Sequence, residues 1–122
     1  MKWKKPSPEL SAFLADSVKL FDAEKKQMFG APVYFVNNNM FAGVHQDSLF
    51  IRLPAEEREG LASEYDEAAP FEPMAGRIMK EYMVLPETIL NDPLELNKWL
   101  EISYRHTALL PRKEPKRKKN VD

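Results

Sequence analysis

There is no cysteine in the 122 residues of this chain. That excludes a disulfide framework, a thiolate-bound metal and a cysteine nucleophile, and it suits a reducing cytoplasm. Glycine is scarce, at four residues, and no glycine-rich loop precedes a basic residue as phosphate-binding loops require. No serine stands in a nucleophile elbow. Long apolar runs are missing too. None approaches the roughly 20 residues of a membrane helix, and Pro6 and Pro8 break the stretch where a secretion signal needs continuous apolar sequence. These absences point to a cytoplasmic, non-enzymatic chain with no cofactor, no metal and no membrane partner.

The net charge is only −1, but it is unevenly spread. Between Pro111 and Asp122 stand Arg112, Lys113, Lys116, Arg117, Lys118 and Lys119 against Glu114 and Asp122, a local net of +4 that leaves −5 for the remainder. An acidic globule is poorly suited to gripping nucleic acid across a folded face, because phosphate contacts need clustered positive charge there. Only the tail offers it, either as a nucleic-acid arm or as a solubilising end with no partner.

What is present is one stretch in which apolar residues, turn formers and spacing agree. From Met28 to Pro54 the sequence reads as three antiparallel strands: Val33 to Val36, Met40 to His45 and Ser48 to Leu53. Asn37, Asn38 and Asn39 tolerate the positive φ that a tight hairpin needs, and Gln46 and Asp47 make the second connection. In the third strand Leu49, Ile51 and Leu53 alternate with Ser48, Phe50 and Arg52 at the period of a pleated sheet.

Helices flank this sheet. Ser7, Pro8 and Glu9 are a helix start, and Leu10, Phe13, Leu14, Ser17, Leu20 and Phe21 predict one apolar face running to about Glu24, closed by Lys25 and Lys26. Pro54, Glu56 and Glu57 open a short helix to about Ser63 that buries Leu61 and Ala62. Residues 64–73 read as loop with a short edge strand at Phe71, flanked by Pro70 and Pro73. A turn at residues 74–77 leads into a strand from Ile78 to Leu85. After one helical turn at 87–91, Asp92 caps a final helix with Pro93 at its first position and Leu96, Trp99, Leu100, Ser103 and His106 on one side. The reading is an α+β domain over residues 1–110 with a flexible start at 1–6. It has two layers, an antiparallel sheet of four to five strands with N- and C-terminal helices on one face. Residues 111–122 form a disordered basic tail.

Several segments, taken in order, resemble the N-terminal domain of the TfoX/Sxy family. They are Met28-Phe29-Gly30, Met40-Phe41-Ala42-Gly43-Val44, Phe50-Ile51-Arg52-Leu53, Pro70-Phe71-Glu72-Pro73 with Gly76-Arg77, Glu81-Tyr82-Met83-Val84-Leu85-Pro86, and Trp99. The resemblance covers about Leu20 to Leu110. It implies a sheet with flanking helices similar to type III secretion chaperones and YgaC-like proteins. It also implies a regulatory role of the kind that full-length members play in DNA-uptake competence, together with a cyclic-AMP receptor protein. Those members carry a second domain, whereas this chain reads as a stand-alone branch. The resemblance implies no catalytic residues.

His45 with Asp47, and His106, read better as structural histidines than as a metal or acid–base site, since a site needs convergent geometry. Glu56, Glu57, Glu59, Glu64, Asp66 and Glu67 read as a solvated acidic face. If helices cover Met40, Ala42 and Val44, then Phe41, His45, Phe50 and Tyr82 fall on the opposite face. There they are either an exposed strip for a protein partner or a second copy of the chain, or they are covered by the short helix and the 68–74 loop. Arg77 either contacts an anionic ligand group or pairs with a nearby acid.

Overall fold

The computed structural model describes residues 8–28 and 30–112. The expected flexible start, the capping role of Ser7, and Phe29, Lys113, Lys116, Arg117, Lys118 and Lys119 lie outside the described residues.

Helix α1 (Pro8–Ser17) precedes four consecutive strands: β1 (Glu24–Met28), β2 (Ala31–Val36), β3 (Asn39–His45) and β4 (Ser48–Arg52). Then come α2 (Ala55–Glu64), a hairpin of β5 (Ala69–Met74) and β6 (Arg77–Val84), the single turn α3 (Glu87–Leu90) and α4 (Pro93–Ala108). The strands form one sheet in the order β1-β2-β3-β4-β6-β5, and every neighbouring pair is antiparallel. The expected α+β class and helix arrangement hold, with six strands among the described residues in place of four to five.

The extra strand is β1, and it corrects the reading of α1. Lys25 and Lys26 do not end a helix; they pair with Tyr34 and Val33 across a hairpin turned by Gly30 at φ 75. Helix α1 stops at Ser17, after which Leu20 is exposed while Phe21 packs beneath α4. Tertiary pairing with β2 here overrides the helical spacing of the sequence. The polar, exposed face of β1 is what an edge strand carries, and it left no apolar alternation to read.

The asparagine turn forms as expected. Asn37 and Asn38 sit at φ 55 and 66 between paired Val36 and Asn39, the geometry a two-residue hairpin favours because its twist matches that of the strands. Asp92 accepts from the amides of Leu94 and Glu95, capping α4 with Pro93 at its start. In α2 Leu61 is buried but Ala62 is exposed.

One face of the sheet carries the main core. Leu10 and Leu14 of α1, Leu61 of α2, Ile89 of α3 and Leu96, Trp99 and Leu100 of α4 pack there against Ala42, Val44, Leu49, Ile51 and Leu53. Among the described residues no helical one belongs to the second cluster, Val33, Met40, Phe50, Phe71 and Tyr82, which occupies the other face. Among the described residues no helix is long and apolar enough to cross a membrane.

Candidate interaction groove

Period-two alternation along β3 assigns Met40, Ala42 and Val44 to one face, but the structure separates them. Between Ala42, opposite Tyr34, and Met40, opposite Phe35, lies one extra residue, Phe41. A β-bulge of this kind reverses the alternation beyond it. Met40 therefore joins the helix-free face, while Phe41 turns under the helices and packs against Phe21 and Tyr104 at 6.2 and 5.3 Å between ring centroids. The bulge is held by α4: the buried Ser103 hydroxyl donates to the Phe41 carbonyl at 2.9 Å. Phe41 is fully buried on the opposite side from the one expected.

Phe50 and Tyr82 do lie on the helix-free face, but not as an open strip. Phe50 is fully buried, and the ring of Phe71 from β5 stacks on it at 4.0 Å with 13° between planes. His45 meets the same Phe71 ring edge to face at 5.5 Å. Edge strand β5 thus covers this part of the face, as one of the two sequence readings had it; α2 takes no part, since Leu61 packs on the other side. Beneath Phe50 the backbone must be glycine. A Cβ on Gly43 would lie 2.6 Å from the Phe50 ring and 2.6 Å from Val33.

Away from Phe71 the cover ends and a groove of about 680 Å³ opens. Its lining includes Met28 from β1, Phe35 from β2, Asn39 and Met40 from β3, Arg52 from β4, and Ile78, Met79, Lys80, Glu81 and Tyr82 from β6. It opens where β6 outruns its neighbour: strand pairing with β4 covers Tyr82 to Val84, a last backbone bond joins Leu53 N–H to the Glu81 carbonyl at 2.9 Å, and β6 continues beside β5 to Arg77. Tyr82 is a floor residue whose hydroxyl donates to the Met40 carbonyl at 3.1 Å. Burial pushes that phenol pKa up, with Arg52 opposing and Glu81 assisting.

The rim is polar. Arg52 donates from Nε and Nη2 to the same Glu81 oxygen, at 2.8 and 2.6 Å, and its guanidinium lies 5.5 Å from the Tyr82 ring centroid. Lys26 places its ammonium 4.6 Å above Phe35. Ile78 stays half exposed, at 53%. Arg77 is exposed at the hairpin turn, outside the groove, and forms no ion pair with any described residue, so the expected pairing with a nearby acid is not seen.

The C-terminal segment leaves at this rim. Asn39, which lines the groove, donates through Nδ2 to the Pro111 carbonyl at 3.0 Å, and Asn37 donates to the Leu110 carbonyl at 2.9 Å. Arg112 follows, exposed. The asparagine run therefore both turns the hairpin and fixes where the basic tail begins.

The two histidines sit apart from the groove lining. Burial lowers the pKa of each; Asp47 opposes this at His45, and Arg52 and Arg58 add to it at His106 against Glu81. Among the described residues no group of three or more His, Asp or Glu is placed to hold a metal ion. Sequence reasoning missed Met28, Phe35, Met79 and Lys80 as groove residues. A signal existed for Arg52, which shares a face with Phe50 two residues earlier.

A family model described as the TfoX N-terminal domain matches residues 18–107. The matched span runs from just after α1 to the penultimate residue of α4. No individual curated protein matches the chain.

Proposed function

The chain belongs to the TfoX N-terminal domain family, and from that premise we propose that it is a non-enzymatic regulatory module, competence-associated in kind, that works through protein contacts. The observation that supports this reading is the division of the sheet. Helices α1 to α4 shield one face, and the other carries a second apolar cluster that β5 covers only in part, leaving an open groove. Partly covered apolar surface with a polar rim is what recognition surfaces present. Catalysis would need titratable groups converging on a reacting atom, and the histidines point to no such centre.

The test is capture of interacting proteins from cells by the wild-type chain and by two surface variants, Ile78→Glu in the groove and Leu94→Glu on α4. Both residues are exposed, so both variants keep the fold. The module reading expects a protein retained by wild type and by Leu94→Glu and lost with Ile78→Glu. Equal capture by all three contradicts it.

A second reading, a nucleic-acid accessory role through Arg112, Lys113, Lys116, Arg117, Lys118 and Lys119, is favoured by the net +4 of that stretch. Replacing these six by serine in the full chain and titrating duplex DNA across a salt series separates the two. A steep salt slope lost on replacement supports the arm; equal weak binding removes it.

A further inference from the structure

We propose that the tip of the β5–β6 hairpin, residues 72–78, is a flap that swings about a hinge at Lys80 and closes over the groove, carrying Ile78 toward Met28 and Phe35. The claim goes beyond the module reading and does not depend on what the groove receives.

The hinge is written in the register of the two strands. At its base the hairpin is a regular ladder, with Ala69 opposite Val84 and Pro70 opposite Met83. The next residue, Phe71, stands opposite Met79, so Lys80, Glu81 and Tyr82 leave the ladder together. A strand bends at such a bulge. Two of the three bulged residues are anchored. Glu81 holds Arg52 through its carboxylate and accepts from the Leu53 amide, while Tyr82 donates to the Met40 carbonyl. Lys80 is exposed and lies between these anchors and the tip, so bending collects there. On β5 the fixed point is Phe71, buried and stacked on Phe50, and the tip begins at the following residue.

Beyond Phe71 little restrains the tip. Strand pairing resumes at Met74 with Arg77, after a second shift of register. Pro73 has no amide to donate, and the pairing of β4 with β6 does not reach this far. From Glu72 to Ile78 every residue but Pro73 is exposed. Segments with few buried contacts and an interrupted ladder are the first to move. The tip moves as one piece, because Glu72 accepts from the Gly76 amide at 2.7 Å across its turn.

The direction of the swing follows from what is left in water. Ile78 is 53% exposed, and Met28 and Phe35, from strands at the other end of the groove, are only partly buried against the second cluster. Closing removes apolar surface from water on both sides, whereas an outward swing leaves both wet. The closed form is the minor one, since burial of a single large side chain is set against the ordering of the tip.

A chain without cysteine allows a clean test. Arg77→Cys, exposed on the tip, carries a nitroxide label in the full chain, whose methionine methyl groups are ¹³C-labelled. Paramagnetic broadening weights short distances steeply, so a briefly closed flap enhances it at Met28 and Met40. The excess over what the open structure's distances give should be at least about twofold. It should persist on dilution, remain with Ile78→Leu, and vanish with Ile78→Glu, whose carboxylate cannot rest on an apolar floor. The same label at Leu94→Cys on α4 should give no excess.

Broadening that matches the open structure at both methyls overturns the flap. An excess that fades on dilution overturns it in favour of a second copy, and one that Ile78→Glu leaves intact overturns closure through Ile78. None of these results decides the module reading, which its own capture experiment tests.

Discussion

Gly43 sits in mid-strand between Val33 and Phe50, where a side chain has no room. Gly43→Ala forces the Phe50 ring off its stack with Phe71, and overpacking of this kind costs about 1–3 kcal/mol; a urea unfolding curve of the variant checks it. Trp99 is buried in the main core with its indole N–H donating to Glu95 at 3.2 Å. Trp99→Ala should cost about 3–5 kcal/mol through the cavity left behind, read as a lowered denaturation midpoint.

The histidines give a pH dependence with a definite sign. Both have folded pKa values below the ordinary one, chiefly through burial, so the unfolded chain binds more protons as pH falls from about 6.5. The stability they contribute is therefore complete above that pH and is lost as pH falls through the folded values. Thermal melts should show a smaller drop between pH 7 and pH 5 for the His45→Gln, His106→Gln chain than for wild type. Equal drops would mean these groups are not desolvated. At this scale the sequence was legible where local chemistry decides, as at Asp92 and the asparagine turn. It was not legible at Gly43, whose need for glycine comes from a ring seven residues away.

Among the elements, the shape of the helix-free face depends most on the bulge in β3. Without it Phe41 would share a face with Phe50 and Tyr82, as strict alternation expects, and Met40 would point into the helices. Because Ser103 holds the bulge from α4, Ser103→Ala leaves the buried Phe41 carbonyl short of a donor and should cost about 1–3 kcal/mol. Amide hydrogen exchange should show the loss concentrated at residues 39–42. Spread evenly over the sheet, it would mean that α4 does not set the bulge. The bulge was illegible because an extra residue in a ladder has no compositional mark when its neighbours are also apolar. Strand β1 was illegible for the opposite reason, since an exposed edge strand needs no apolar residues and its lysines suit a helix end equally well. Helix α4 and strands β2 to β4 were read correctly because caps, period and turn chemistry agreed.

For the whole molecule, the two-layer division was legible from the order of periodic segments, but the groove was not. It results from β6 outrunning β4 and from the β5 edge covering Phe50 and His45 but not the rest of the face, contacts between residues distant in sequence. The consequence is one face shielded by helices and one left partly open, and the proposed function assigns recognition to the open one. The most direct measurement installs a photo-crosslinking amino acid in the full chain inside its native cell, at Ile78 in the groove or at Leu94 on the exposed side of α4. Protein adducts should form from position 78 and not from 94. Adducts from 94 alone, or from both positions equally, would contradict the assignment of recognition to the helix-free face.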